Sequence, residues 1–240
     1  MKRIRFLSAM VLALTPVSAM AHGVWLASQH GELAVVYGHG AEQDSYDTAK
    51  VTSVTICPNG SACAPATPVG HETYVSLPKP EVPSVITVEF NNGFWSKDAA
   101  GEWQNMPKDA VAGATEGGQY LKHAVYLTGT VPTIGTPVGQ VLEIVPLADP
   151  YGLKMGDMLP VQVMFDGAPL PNAEVVIDYV NDTDAAPLAT DADGKAMIPV
   201  RNQGLNVIAV SHAAPFPDPT KADETGHTAT LSFMLNHAEE

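Results

Sequence analysis

Short alternations of apolar and polar residues recur along most of the chain. In the segment 84–90, the apolar residues Ile86, Val88 and Phe90 fall on every second position. This period of two predicts strands with one buried face. No long stretch shows the 3.6-residue period of an amphipathic helix, so the pattern predicts an all-β protein. Strands are predicted at residues 33–37, 50–56, 84–90, 141–145, 159–165, 174–180, 195–200, 205–211 and 228–235.

A segment rich in turn-forming residues divides the chain. Residues 129–139 carry no charge and consist largely of Gly, Pro and Thr, which is typical of a linker or a long crossover. We therefore predict two β-sandwich-like domains, an N-terminal β domain at 22–139 and a C-terminal domain at 140–240. In the second, Asp166-Gly167 and Asp193-Gly194 lie between alternating runs, as hairpin turns do, which favours a Greek-key sandwich.

The start of the chain has the pattern of a signal peptide. Basic residues precede an apolar run at 6–18, and Ala19-Met20-Ala21 then supplies small residues at the selective positions. We expect residues 1–21 to be removed by cleavage between Ala21 and His22, and the mature protein to be periplasmic. The apolar run is shorter than the ~20 residues that a spanning helix needs, so we expect no direct membrane insertion.

The chain is strongly acidic. Its formal net charge is -14, and loss of the three cations of the signal peptide makes it -17. Such a charge repels nucleic acid and anionic lipid, so neither is expected as a partner. It suits a cationic ligand, although a solubilising surface explains the same carboxylates.

The chain has two cysteines, Cys57 and Cys63, which flank a Pro58-Asn59-Gly60 turn. In an oxidising compartment this spacing favours a disulfide at a hairpin tip. The alternative is a pair of thiolate metal ligands, which usually stand closer together and need a reducing environment.

Histidine residues are the candidate metal ligands. After the predicted cleavage, His22 would be the first residue, so its α-amine and its imidazole could bind one ion together. Such nitrogen chelates favour copper and nickel. The alternative is that His22 merely follows the cleavage site and binds nothing. His39 lies between two glycines at the end of an apolar strand, where a ligand could reach its ring, although a structural histidine fits the same place.

A second histidine pair flanks a predicted loop. His212 ends the strand 205–211, and His227 begins the strand 228–235, with a proline-rich loop between them. If the two strands pair antiparallel, both imidazoles would come within reach of one ion. A role in flanking the loop explains them equally well. We expect this hairpin end to complete the site formed by His22 and His39. His123, beside apolar residues, is a reserve ligand.

The sequence lacks the familiar catalytic motifs. It contains no nucleophile elbow, no phosphate-binding glycine loop, no helical zinc-protease motif and, once a disulfide forms, no reactive cysteine. We therefore expect a metal-binding or transport accessory protein and not an enzyme.

Several longer motifs span essentially the whole mature chain. They are AHGVWL at 21–26, VYGHGAE at 36–42, YDTAKV at 46–51, NGFWS at 92–96, GLKMGD at 152–157, FDGAPLPNA at 165–173 and TDADG at 190–194. Together they resemble a bacterial family of periplasmic accessory proteins linked to nickel and cobalt uptake. The resemblance implies a C-terminal sandwich like transthyretin or carboxypeptidase regulatory domains, which agrees with the transthyretin-like or immunoglobulin-like Greek-key sandwich predicted above. It also implies nickel or cobalt as cargo, a membrane metal transporter as partner, and His22 and His39 as ligands.

Three functional hypotheses follow. The first is a periplasmic protein that captures nickel or cobalt for uptake or buffering, with copper as the alternative metal. The second is a copper enzyme that activates oxygen at the N-terminal chelate, with Trp25, Trp95 and Trp103 as an aromatic substrate face. The third is a structural or interaction module in which the histidines are incidental.

Overall fold

The structure is a computed structural model that describes residues 22–235. The predicted signal peptide, including Ala21 of the cleavage site, lies outside the described residues. His22 is the first residue described.

The described residues form strands and three short 3-10 helices, Thr48–Lys50, Lys108–Ala110 and Pro150–Gly152, and contain no α-helix. The predicted all-β class is therefore confirmed. The strands are β1 (Gly23–Gln29), β2 (Glu32–His39), β3 (Glu42–Gln43), β4 (Val51–Pro58), β5 (Ala64–Pro65), β6 (Val69–Gly70), β7 (Val75–Leu77), β8 (Ser84–Lys97), β9 (Trp103–Gln104), β10 (Glu116–Leu127), β11 (Leu142–Pro146), β12 (Met158–Phe165), β13 (Ala168–Pro169), β14 (Glu174–Val176), β15 (Leu188–Ala189), β16 (Lys195–Pro199), β17 (Leu205–Pro215) and β18 (Glu224–Met234).

These strands form three sheets. The N-terminal sheet has the order β1-β2-β7-β6, with β3 on β2. The central sheet has the order β15-β14-β17-β18-β10-β8-β4-β5, with β9 on β8. The C-terminal sheet contains β11, β12 and β13, with β16 on β12. The pairing of β10 with β18 is parallel, and it joins strands from the two halves of the chain.

The central sheet is covered on both faces. Because side chains alternate along a strand, Ala124 and Tyr126 of β10 pack into a core with the N-terminal sheet. Val125 and Leu127 of the same strand pack into a second core with the C-terminal sheet. A smaller core joins Trp25 of β1 to the part of the central sheet formed by β17. Successive residues at 124–127 therefore alternate between two interiors.

The turn-rich segment 129–139 contains no strand and connects β10 to β11. Val131 within it is buried in the core beneath the C-terminal sheet, so the segment packs as a crossover. The predicted division at residue 139 separates the strands by chain order, whereas the central sheet takes strands from both sides of it.

The predicted disulfide between Cys57 and Cys63 is confirmed, with the two sulfur atoms 2.07 Å apart. Asn59 and Gly60 have positive φ angles of 49° and 65°, which reverse the chain between β4 and β5. The bond therefore closes the tip of a hairpin, where the sequence places it.

None of the described residues forms a helix long and apolar enough to cross a membrane.

The hairpin between β2 and β3 depends on a glycine. An added Cβ on Gly38 would lie 2.1 Å from the carbonyl oxygen of Glu42, which no backbone tolerates. We expect Gly38→Ala to lower the free energy of unfolding by about 1–3 kcal/mol, because the hairpin must open to admit the methyl group. Urea denaturation measures this.

Gly204→Ala is the matched control, because an added Cβ there meets no atom within 4 Å. It should change the stability by no more than about 0.5 kcal/mol. Equal stability of the two variants would show that the hairpin is not held as described.

Candidate functional site

His22 and His39 lie at one end of the ladder between β1 and β2. Gly23 pairs with Gly38, so the two histidines flank the last pair of the ladder from opposite strands. The chain then turns at Gly40, whose φ is +62°, and His39 pairs with Glu42 of β3. The sequence thus brings the backbones of both predicted ligands to one strand end.

Asp44 reaches His22 from the far side of this hairpin. Its backbone N–H donates to the carbonyl oxygen of Tyr37 at 2.8 Å, which holds Asp44 beside the ladder end. Its Oδ2 atom lies 2.8 Å from Nε2 of His22. Sequence reasoning did not single out Asp44. Its position directly after the paired strand β3 is the signal that could have done so.

An aromatic stack supports the His22 ring. The imidazole stacks on Tyr37 with ring centroids 5.2 Å apart, and Tyr37 stacks on Phe90 at 5.0 Å. Burial raises the pKa of Tyr37 to about 12, and the nearby charge of Asp44 adds to the effect. Tyr37 therefore keeps its proton at neutral pH and acts as a neutral platform for the imidazole.

The carboxylate of Asp44 selects a tautomer of His22. An acceptor 2.8 Å from Nε2 favours the proton on that nitrogen, which leaves the lone pair on Nδ1. Nδ1 is the ring nitrogen closer to the backbone, and so to the α-nitrogen of the same residue. A carboxylate on the non-ligating nitrogen is the usual support of a metal-bound histidine.

The His39 ring has different neighbours. Its Nδ1 atom lies 3.4 Å from the hydroxyl oxygen of Tyr179, and the two rings meet edge to face with centroids 5.5 Å apart. Tyr179 donates to the carbonyl oxygen of Gly38 at 3.1 Å and packs on Trp25. Trp25 is only 1% exposed, so this indole belongs to the core and not to a substrate face.

A cleft of about 740 Å³ opens beside His22. Tyr37, Asp44, Lys50 and Asn92 line it together with His22. The indoles at positions 95 and 103 also line it, so two of the three predicted aromatic residues accompany His22.

The second histidine pair lies within a ladder and not at its end. The predicted strand boundaries at 211 and 228 were wrong, since β17 continues to Pro215 and β18 begins at Glu224. The antiparallel pairing is confirmed, and His212 faces His227 directly. The rings of both contact Phe165 of the C-terminal sheet.

His123 extends this group across the sheet as a hydrogen-bonded chain. Its Nδ1 lies 2.6 Å from Oε2 of Glu89, and its Nε2 lies 3.0 Å from Nδ1 of His227. His123 and His227 are 2% and 5% exposed. Glu89 in turn accepts from Gln140 at 2.9 Å. Sequence reasoning missed Glu89, although a charge between the apolar residues of a predicted strand was a visible signal.

The two histidine groups lie on opposite faces of the central sheet. His227 and His123 face the C-terminal sheet through Phe165, whereas His22 rests on the Tyr37–Phe90 stack, which belongs to the core under the N-terminal sheet. His212 and His227 are thus not brought to the end of the ladder where His22 lies. Within residues 22–235, no three or more His, Cys, Asp or Glu side chains form a group that could hold a metal ion.

Burial of His227 has a consequence for stability. Desolvation, together with the neighbouring His123, lowers the pKa of His227 from 6.5 to about 4. Between these two pH values the unfolded chain binds the proton and the folded chain does not. The contribution of neutral His227 to the free energy of unfolding is therefore fully present above about pH 6.5 and is lost as the pH falls towards 4.

Lowering the pH from 7 to 4.5 should reduce the free energy of unfolding of both proteins. We expect the reduction to be about 2 kcal/mol smaller in His227→Gln than in the parent. Urea denaturation at both pH values measures the difference. His30→Gln is the control, because His30 is an exposed turn residue and should leave the pH dependence unchanged. Parallel losses in all three proteins would contradict a buried neutral His227.

Comparison with known proteins identifies a family. No curated protein and no solved structure matches the chain. The model of a family described as a domain of unknown function (DUF4198) matches residues 19–214. Because this match covers most of the 240 residues, the chain belongs to the DUF4198 family.

Proposed function

We propose that the protein is a periplasmic metal carrier that begins at His22 and binds one divalent ion for uptake or buffering. The α-amine and Nδ1 of His22 form the chelate, and His39 is the third ligand. Nickel or cobalt is the proposed cargo and copper the alternative, since these late first-row ions favour nitrogen ligands. The proposed recipient of the ion is a membrane metal transporter.

One observation carries this proposal, the contact of Asp44 with His22. The carboxylate lies 2.8 Å from Nε2, the nitrogen that a chelate with the α-amine would not use. Tyr37 stacks beneath the same ring and limits its rotation. The imidazole is thus oriented before an ion arrives, which reduces the entropy lost on binding.

Two further points support the cargo and the location. The motifs at 21–26 and 36–42, which contain both proposed ligands, resemble a family linked to nickel and cobalt uptake. The disulfide between Cys57 and Cys63 suits an oxidising compartment such as the periplasm.

We leave His212, His227 and His123 out of the proposed site. They lie on the other face of the central sheet, and the facing nitrogens of His123 and His227 are hydrogen-bonded to each other. In this proposal their role is structural, since the ring nitrogens of His123 and His227 satisfy each other between two sheets.

A copper-dependent oxygen-activating enzyme is the second candidate function. Trp95 and Trp103 line the same cleft as His22, so an aromatic surface does accompany the proposed chelate. Oxygen-dependent consumption of a reductant by the copper-loaded protein would favour this candidate, and metal binding without turnover would favour the carrier.

The chelate is tested by calorimetric titration of nickel into protein that begins at His22. A version with one alanine added before His22 keeps every side chain but moves the amine away. We expect this version and His39→Ala each to bind at least about tenfold more weakly, as losses around a metal ligand typically do.

Asp44→Asn tests the orienting carboxylate. It should weaken nickel binding by about tenfold or more, because an amide holds the imidazole N–H less strongly. Asp193→Asn is the matched control, since the Asp193 side chain is 77% exposed. Equal nickel affinity of Asp44→Asn and Asp193→Asn would contradict the orienting role of Asp44. In the preceding experiment, unchanged nickel affinity of the version with one added alanine would show that the N-terminal chelate is wrong.

A further inference from the structure

The cleft beside His22 contains more than metal ligands. It combines a cation, Lys50, with the indoles of Trp95 and Trp103 and the amides of Asn92 and Asn105. Such a mixture of flat apolar walls and a few converging polar groups is typical of a small-molecule site. An ion alone needs none of these groups.

Asn92 organises this wall because it occupies a bulge in β8. On the partner strand β10, Tyr120 pairs with Gly93 and Leu121 pairs with Asn91, so Asn92 is the extra residue. A bulge redirects a side chain. Asn92 is 4% exposed, and its Oδ1 accepts from Nζ of Lys50 at 2.8 Å.

Lys50 is the group that would recognise an anion. An ammonium has three donors, and Asn92 takes one of them. Partial burial lowers the pKa of Lys50, while the charge of Asp47 opposes this shift. The overall charge of the chain is negative and Asp44 also lines the cleft, so a ligand carboxylate would be held by direct pairing with the remaining donors of Lys50.

The indoles would hold the body of such a ligand. Trp95 donates from Nε1 to the backbone carbonyl of Asn92 at 3.1 Å, so the residue that holds Lys50 also fixes this indole. Trp103 is covered on one side by Lys97, whose Nζ lies 5.4 Å from the ring. Fixed indole faces stack well against flat rings.

The proposed metal site leaves room for a ligand. Two nitrogens from His22 and one from His39 make three donors, whereas square-planar or octahedral ions take four to six. Because His22 itself lines the cleft, the remaining positions of a bound ion are open to a molecule lying there.

We propose that the cleft binds the metal ion together with a small chelating carboxylate, such as a free amino acid. Its carboxylate pairs with Lys50, its body packs against Trp95 and Trp103, and its other donors complete the coordination of the ion. This inference rests on the proposed chelate at His22. It extends the proposed function, because the cargo becomes a metal complex and not a bare ion.

Equilibrium dialysis tests it with protein that begins at His22, nickel chloride and radiolabelled L-histidine, with nickel and label both measured. The protein should retain label only when nickel is present. Labelled histamine, which chelates through the same amine and imidazole but lacks the carboxylate, should be retained at least about tenfold less tightly. This comparison needs no variant.

Lys50→Met should weaken retention of histidine to the level of histamine without weakening the binding of nickel alone, because Lys50 is a cation and not a metal ligand. Lys79→Met, at an exposed position outside the cleft, is the matched control and should behave like the parent. Retention of nickel without label would overturn this inference and leave the proposed function standing. Retention of neither would overturn both, and label retained equally without nickel would overturn the metal bridge.

Discussion

The parallel pairing of β10 with β18 is the contact on which the rest of the structure depends. It joins a strand from the first half of the chain to the last described strand, and so makes one central sheet from both halves. Parallel pairing needs a long connection between the strands. Here the connection contains the whole C-terminal sheet, which folds back over one face of the pair.

This arrangement buries polar residues that must then find partners. Lys122 is 1% exposed and donates to Oγ1 of Thr228 at 3.1 Å, across the parallel pair. Burial lowers its pKa to about 7. His123, the next residue, points to the other face and pairs with Glu89 and His227. Adjacent residues of one strand thus place polar groups in two separate interiors.

Much of the fold follows from local patterns, but β10 does not. The alternation at 84–90 predicted the core of β8, and the turn at 58–60 predicted the disulfide. Strand β10 escaped prediction because Lys122 and His123 interrupt its apolar pattern, and only the two cores around them explain their burial. Asn91-Asn92-Gly93 resembles a turn, yet it forms a bulge that extends β8 to Lys97.

The candidate site shows the same limit. The sequence indicated that His22 and His39 could meet, because apolar strands and glycines surround them. It could not show that Asp44 returns to His22, since this contact depends on the hairpin at Gly38 and Gly40. Nor could it show that His212 and His227 face the opposite side of the sheet, because their side depends on the register of β17 with β18.

The proposed chelate at His22 is most directly tested by diffraction from crystals of the nickel-loaded protein that begins at His22, with data collected at the nickel absorption edge. Our account predicts an anomalous peak at about 2.1 Å from both the α-amine and Nδ1 of His22, a typical metal–nitrogen distance. Asp44 should remain on Nε2 in that crystal. A peak between His212 and His227, with none at His22, would contradict it.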